Sequence, residues 1–189
     1  MRVTKAQAQL NRAHIVETAS RLFRERGYDG VGVADLMAAA GFTHGGFYKH
    51  FRSKADLMAE AAACGLSQSM TNYAGLGAAA FFDHYVSREH RDDRSVGCTM
   101  AALCGDAARQ SDEVKATFAE GIENALTALG RTAAQQDDEQ RQAARAKMID
   151  RLARAVGAVV LSRACPDESP LADEIIEVCH RQLLESLAP

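Results

Sequence analysis

The chain has 189 residues, of which 47% are hydrophobic and 25% charged, and these proportions exclude an intrinsically disordered or fibrous protein. No stretch approaches the roughly 18 apolar residues of a membrane span, and the first residues lack the apolar core of a signal peptide. We therefore expect a cytoplasmic protein without a membrane partner. The cysteines are odd in number and irregularly spaced, which argues against a disulfide framework or a zinc ribbon.

The net charge of −3 conceals two parts of opposite sign. Residues 1–54 contain nine Lys or Arg and four acidic residues, whereas the remaining residues contain 13 basic and 21 acidic groups. A basic segment attached to an acidic one favours a polyanionic partner for the basic segment alone.

The hydrophobic spacing predicts an all-α fold, because apolar residues recur every three or four positions and no stretch alternates like a strand. Four N-terminal helices are predicted: Ala6 to Arg26 stopped by Gly27, Val33 to Ala40 ended by Gly41, Thr43 as cap to Phe51, and one capped by Ser53. Further helices are predicted at about 77–90, 98–109, 111–134, 138–164 and 170–187. We expect a three-helix head at 1–54 and a larger helical body at 55–189.

The second and third helices, joined by a tight turn at Gly41, have the pattern of a helix-turn-helix, whose second helix enters the major groove of DNA. Two glycines at the start of that helix would allow close approach to the groove, although each costs roughly 0.8–1 kcal/mol relative to Ala. Hydroxyl, imidazole and amino groups around them suit phosphate and base contacts. Phe42, Phe47 and Phe51 are expected to form the core of the head. The predicted DNA-binding residues are Thr43, His44, Gly45, Gly46, Tyr48, Lys49, His50 and Lys54.

The segment GVGVADLMAAAGFTHGGFYKHFRSKADL resembles the DNA-binding domain of the TetR family of transcriptional regulators. The family pattern is matched at Ala40, Gly41, Thr43, Gly45, Tyr48, Phe51, Ser53, Lys54 and Leu57. The resemblance implies a helical homodimer that binds a palindromic operator in double-stranded DNA, and whose body releases it on binding a small-molecule inducer. It implies a repressor that is not an enzyme and needs no cofactor. Gly32 departs from the family, which often has Ser or Thr there to contact phosphate.

The last two predicted helices each carry an apolar stripe. In the family, these helices pair with their twofold mates as a four-helix bundle, while the alternative is that both stripes face the core of the protomer. The candidate dimer-interface residues are Leu152, Val156, Val159, Ile175, Val178 and Leu183.

The middle helices carry apolar and aromatic residues of the kind that line small-molecule pockets. The same spacing is also typical of an ordinary core. The candidate ligand-binding residues are Met70, Tyr73, Phe81, Phe82, Tyr85, Met100, Leu103, Phe118 and Ile122.

The pair Gly97 and Cys98 resembles the start of the sixth helix in some TetR-like regulators. A thiol at a helix N-terminus is stabilised as thiolate, and Arg91 and Arg94 would add to this, so Cys98 is a candidate redox or electrophile sensor with Cys104 as a second thiol. The two cysteines lie about 120° apart around a helix and would not form a disulfide without distortion. A buried packing role is the alternative.

Three other readings carry less support in the sequence. Gly75 to Ala80 has the letters of a dinucleotide fingerprint but follows a helical segment instead of a strand. A metal site is not predicted, because His84 and His90 lie six residues apart and Asp83, Asp92 and Asp93 suit a solvated loop. A helical small-molecule enzyme using Cys98 is the other class of function, although no catalytic motif is present.

Overall fold

The computed structural model describes residues 4–73, 75–130 and 137–187, and the residues in these ranges form helices without any strand. The predicted all-α fold is confirmed. Among the described residues, no helix combines the length and the apolar character that crossing a bilayer requires. The helices are α1 Lys5–Arg26, α2 Val33–Ala39, a 3₁₀ helix His44–Lys49, α3 Lys54–Asn72, α4 Ala78–Tyr85, α5 Arg88–Asp92, α6 Thr99–Ala107, α7 Asp112–Leu129, α8 Asp138–Ala164 and α9 Pro170–Leu187.

The chain packs as two units. The first contains the described residues up to Ser69 together with Cys98–Gly121, and the second contains Met70–Gly97 and the described residues from Ile122 onward. The helices of the predicted head therefore share a packing unit with α6. The functional division at residue 54 stays a prediction.

The first unit is built around the inner faces of α1 and α3. Phe23, Tyr28, Phe47, Phe51 and Leu57 are all at most 2% exposed and belong to one core cluster, as expected for the phenylalanines of the head. Phe42 is partly buried against the same cluster. This core fixes the direction in which α2 and the 44–49 helix present their outer faces.

The second unit centres on α8 packed against α9, with α4 against α9 and α5 against α8. A buried cation joins these parts: Arg91, which is 1% exposed, donates to the Ser162 hydroxyl at 2.9 Å and to the Ser162 carbonyl at 3.1 Å. Its guanidinium also lies 3.0 Å from a carboxylate oxygen of Asp167. Since a buried charge needs a partner and full hydrogen bonding, this cluster ties α5 to the end of α8.

The prediction of a single helix at 77–90 is wrong, because the structure has two helices there, α4 and α5. α4 ends at Tyr85, Val86 leaves the helical region, and Ser87 starts α5 by accepting a hydrogen bond from the His90 backbone N–H at 3.1 Å. A serine at an N-cap position competes with helix continuation, since its hydroxyl satisfies a backbone donor of the next helix.

The helix predicted from Thr43 to Phe51 is shorter and tighter than expected. It runs over His44–Lys49 as a 3₁₀ helix, and Thr43 occupies the N-cap position without making a side-chain capping bond. Two adjacent glycines disfavour the α-helical form, and short 3₁₀ segments are common where a helix is too short to propagate.

The helices predicted at 138–164 and 170–187 are confirmed. Asp137 caps α8 by accepting from the Gln140 N–H at 2.8 Å, and the Gln140 side chain returns a bond to the Asp137 N–H. Proline at the first turn of α9 fits a position where no N–H is needed. The helix predicted at 111–134 is observed as α7 Asp112–Leu129, and positions 131–134 of the prediction lie outside the described residues.

Three of the six candidate dimer-interface residues are buried in the protomer. Leu152, Val159 and Leu183 have 5%, 0% and 0% exposure, and they lie on α8 and α9, which pack on each other. These residues belong to the core, which was the alternative reading of the stripes. Val156 and Ile175 keep part of their surface, and Val178 is exposed.

Candidate nucleic-acid interface

The predicted helix-turn-helix is formed by α2, a turn at Gly41 and the 44–49 helix, and α2 packs against the 44–49 helix. Gly41 has a φ of +79°, a conformation that favours glycine, and its N–H donates to the Ala38 carbonyl at 3.0 Å. The Phe42 N–H donates to the Met37 carbonyl at 2.8 Å, which closes the end of α2. The sequence thus places the start of the next helix close to the end of α2.

Five of the eight predicted DNA-binding residues are exposed on the 44–49 helix or at its N-cap, and this exposed surface is the outward face of the helix. Thr43, His44, Gly45, Tyr48 and Lys49 are exposed, whereas Phe47 between them points into the core at 1% exposure. Tyr48 is 71% exposed, and its ring packs edge-on against Phe47 with centroids 5.2 Å apart. An exposed aromatic side chain held against a buried one is well placed to bind another molecule.

No contact within the described part of the chain requires glycine at position 45 or 46. A methyl group placed on Gly45 meets no heavy atom within 4 Å, and one on Gly46 makes only ordinary contacts, 3.6 Å from Met37 and 3.7 Å from Thr43. Their φ angles also lie outside the positive range that excludes other residues. The fold would accept alanine at both positions, so the cost of glycine in a helix is not offset within the protomer.

The positive charge of the N-terminal segment is mostly used internally. Arg12 pairs with Glu60, Arg21 pairs with Glu25 at 2.9 Å, and buried Arg24 donates to Ser20 at 2.7 Å. Lys49, by contrast, is exposed and forms no ion pair with any described residue. The net charge of the segment therefore overstates the charge available to a polyanion, and Lys49 is the main cation on the outward face.

A further internal pair closes the start of α3. Arg52 pairs with Asp56 at 3.1 Å, and its backbone N–H also donates to the Asp56 carboxylate at 3.0 Å. The hydrogen bond from the Arg52 side chain is the main reason that the pKa of Asp56 lies below its usual value. The Ser53 hydroxyl accepts from the Asp56 N–H at 3.1 Å, so the predicted cap of this helix is confirmed.

Lys54 and His50 have internal contacts that the sequence did not indicate. The Lys54 ammonium donates to the Tyr28 carbonyl at 2.5 Å, which ties the start of α3 to the turn after α1. The His50 carbonyl accepts from Arg12, and its half-buried ring lies 6.4 Å from the Phe42 ring. Their side chains lie less open to a ligand than Tyr48 and Lys49, and their contacts with DNA stay predictions.

Sequence reasoning missed Arg12 and Glu60, which bridge α1 and α3 next to the outward face. The available signal was Glu60 itself, a single acid within the apolar run LMAEAAACGL. A charge inside such a run indicates a partner, although the sequence does not show which cation supplies it.

The two candidate sensor thiols are at least partly buried, and the environment of Cys104 disfavours its thiolate. Cys98 is the N-cap residue of α6 and is 3% exposed. Burial, and then the neighbouring Cys98, raise the pKa of Cys104 to about 11. Arg91, expected to stabilise the Cys98 thiolate, instead binds Ser162. Because thiolate character and access both promote oxidation, these observations favour packing, and the sensor role stays a prediction.

The candidate ligand-binding residues divide between the two units. Those in the first unit are Met100, Leu103 and Phe118, and those in the second are Met70, Tyr73, Phe81, Phe82, Tyr85 and Ile122. Phe82, Tyr85 and Leu103 are at most 2% exposed. In the second unit the Phe81 ring contacts the rings of Tyr73 and Tyr85, with centroids 4.9 Å and 5.2 Å apart. The pocket itself stays a prediction.

The side chains considered for a metal have other partners. The Nδ1 atom of buried His90 donates to the Tyr85 carbonyl at 2.6 Å, and burial is the main cause that lowers the pKa of His90 to about 4. Asp83 pairs with His180, and Asp92 with Arg88. Within the described residues, no group of three potential ligands is suitably arranged.

Comparison with known proteins assigns this helix-turn-helix to a family. Residues 15–61 match the family model described as bacterial regulatory proteins, tetR family. AcrR of Shigella flexneri, an HTH-type transcriptional regulator, is 42% identical over 59 residues, which is 31% of this chain and 27% of AcrR. DhaR of Mycobacterium sp. (strain GP1), an HTH-type transcriptional repressor, is 51% identical over 43 residues, 23% of this chain and 22% of DhaR. The alignments thus span about a quarter of these relatives.

The similarity of fold extends over nearly the whole chain. The crystal structure of a TetR transcriptional regulator from Chloroflexus aurantiacus superimposes with a TM-score of 0.67 at 25% identity and covers 96% of both chains. The relatives and the structural neighbour compared above are transcriptional regulators. The helix-turn-helix and the matched segment agree: residues 15–61 are similar to the DNA-binding segment of the tetR family of bacterial regulatory proteins, and the fold of nearly the whole chain is similar to that of a TetR transcriptional regulator.

Proposed function

We propose that the chain is a homodimeric transcriptional repressor that inserts the 44–49 helix into the major groove of a palindromic operator and is released by a small-molecule inducer. The glycine pair carries this proposal. A methyl group on Gly45 would be accommodated by the fold, so the absence of a side chain serves something outside the protomer. A groove about 12 Å wide, into which a helix must fit closely, is such a requirement.

The side chains of the outward face are suited to contacts with DNA phosphates and base edges. Thr43 has a hydroxyl that is not used to cap the helix, Tyr48 offers an exposed phenol, and Lys49 offers an ammonium group that forms no ion pair with the described residues. We assign phosphate contacts to Thr43, Tyr48 and Lys49, and a base-edge contact to His44 at the leading end of the helix.

Dimerisation is assigned to the outer surfaces of α8 and α9. Ile149 and Val160 on α8 are 45% and 43% exposed, and Leu171 and Val178 on α9 are 53% and 41% exposed. Their spacings of 11 and 7 residues place each pair on one helical face, next to half-buried Val156 and Ile175 respectively. Exposed apolar faces of this kind are typical of protein interfaces, and a twofold pair would present two heads to two half-sites.

The repressor role and release by an inducer complete the proposal. DhaR, which is 51% identical to this chain over 43 residues, is a transcriptional repressor. We propose that an inducer held by the body favours a spacing of the two heads that no longer fits successive major grooves.

The direct test is fluorescence anisotropy on a labelled duplex from immediately upstream of the protein's own coding region. We expect salt-dependent, sequence-specific binding, weakened about tenfold by Tyr48→Ala or Lys49→Ala if each loses one phosphate contact. Lys147→Ala, which removes an exposed lysine from α8, serves as the matched control and should bind like wild type.

If no specific duplex is found there, selection from a random duplex library replaces the upstream sequence. Wild-type affinity in both the Tyr48 and Lys49 variants would contradict the proposed docking. Failure of the wild-type dimer to select any sequence would contradict the function itself.

A further inference from the structure

One side chain from α1 holds the C-terminal end of the 44–49 helix. Arg12 donates one guanidinium nitrogen to the His50 carbonyl and pairs the other with Glu60 of α3. Its guanidinium carbon lies 4.3 Å from the centroid of the Phe51 ring, which is itself 2% exposed. Arg12 thus connects α1, the end of the 44–49 helix and α3 within the first unit.

The 44–49 helix needs such a contact because it has little stability of its own. It is six residues long, contains two glycines and has 3₁₀ geometry, which leaves each of its hydrogen bonds weaker than in an α-helix. The last carbonyls of a helix also lack partners inside it, and a cation at that end satisfies them and complements the helix dipole. His50 is the C-cap residue, so Arg12 binds where this support is most effective.

We infer that Arg12 is a positioning residue for operator binding, an inference that rests on the function proposed above. Arg12 fixes the end of the 44–49 helix against α3. Its guanidinium is a planar fork, whose two nitrogens reach two acceptors in different directions. Glu60 orients that fork, and the Phe51 ring supports its face. Neither Arg12 nor Glu60 has to touch DNA for this role.

The pair contributes little to the stability of the fold. The side chains of Arg12 and Glu60 are 33% and 38% exposed, and partly exposed ion pairs of this kind are strongly screened. Their removal should therefore leave the protein folded while changing the orientation of the 44–49 helix. Operator affinity and the free energy of unfolding can therefore be measured as separate effects of each variant.

Glu60→Gln gives the sharpest test, because a purely electrostatic effect and a positioning role predict opposite changes in operator affinity. Removal of a negative charge near a DNA-binding surface should strengthen binding to a polyanion if charge alone matters. Positioning predicts weaker binding, about three- to tenfold, because the neutral amide holds the fork without the charge-assisted hydrogen bond of the carboxylate. Arg12→Lys, which keeps the charge but not the fork, should weaken binding about tenfold.

The experiment measures operator affinity of the full-length protein by anisotropy at several salt concentrations, with urea unfolding of the same preparations. We expect both single variants to bind weakly, the double variant to be no weaker than Arg12→Lys alone, and the salt slope to match that of wild type. Arg21→Lys and Glu25→Gln, which alter an exposed ion pair on the same helix, are the matched controls.

Several outcomes overturn the inference. Binding by Glu60→Gln that equals or exceeds wild type removes the positioning role. Wild-type affinity in Arg12→Lys, combined in Arg12→Ala with a salt slope reduced by about one, identifies a direct phosphate contact instead. If wild type binds no specific duplex, the proposed function fails, whereas specific wild-type binding with unaffected variants rejects only the role of Arg12.

Discussion

Alanine in place of Gly45 should move stability and DNA affinity in opposite directions. The position is exposed, lies in the 44–49 helix, and has no described heavy atom within 4 Å of an added methyl group beyond its chain neighbours. Replacing an unstrained helical glycine by alanine typically stabilises a fold by about 0.5–1 kcal/mol. We expect the free energy of unfolding of Gly45→Ala to rise by that amount.

Operator affinity should fall in the same variant. The added methyl group lies on the face assigned to the groove and would hold the helix away from the base edges. If one bidentate base contact is lost, the cost is about 1–3 kcal/mol, which corresponds to roughly a five- to 150-fold weaker Kd. Gly45→Val, which is larger, should bind more weakly still.

Gly105→Ala provides the control, because Gly105 lies within α6, is exposed and likewise has no heavy atom within 4 Å of an added methyl group. It should gain similar stability and keep wild-type affinity. Urea unfolding and anisotropy on one preparation of each protein give both quantities. Wild-type affinity in Gly45→Ala would refute the close-approach argument, and a loss of stability would reveal an internal role for the glycine.

Two further predictions concern the second unit. The pKa of His90 is about 4 in the folded protein, whereas the ordinary value is 6.5, so the unfolded chain binds the proton first on acidification. The free energy of unfolding should therefore fall between pH about 6.5 and 4, and the loss should be about 2 kcal/mol at pH 5. His90→Asn, whose amide can replace Nδ1 as donor to Tyr85, should lose this part of the pH dependence in urea unfolding at pH 7 and 5; an unchanged dependence would exclude His90 as its source. Val160→Glu should convert the dimer to a monomer in sedimentation experiments and abolish tight operator binding. Lys147→Glu, on the opposite face of α8, should do neither. A dimeric Val160→Glu variant would contradict the assigned interface.

Local signals made part of the fold predictable. The bounds of α8 and α9 follow from Asp137 with its reciprocal Gln140 bond and from Pro170, which act within a few residues of the helix ends. The helix-turn-helix was predictable for the same reason, since Gly41 and the motif around it define the turn and the outward face. Ser87 shows the limit, because the apolar pattern continues past this N-cap residue and predicts one longer helix.

Long-range contacts explain most of what could not be predicted. Arg12 meets Glu60 48 residues away, and Arg91 meets Ser162 71 residues away, so nothing local specifies either pair. The apolar stripes of α8 and α9 have the same spacing whether they face a partner or the protomer. Only the packing of the two helices shows that Leu152 is buried while Val160 stays exposed.

The most direct test of operator binding by paired 44–49 helices is methylation protection of the bound operator by dimethyl sulfate, which reports guanine N7 in the major groove and adenine N3 in the minor groove. Insertion of both helices predicts two symmetric patches of protected guanines, separated by about one helical turn or more, with adenines in the minor groove of each half-site still reactive. A single patch would contradict binding as a twofold dimer. Protection confined to adenines would contradict insertion of the 44–49 helix into the major groove.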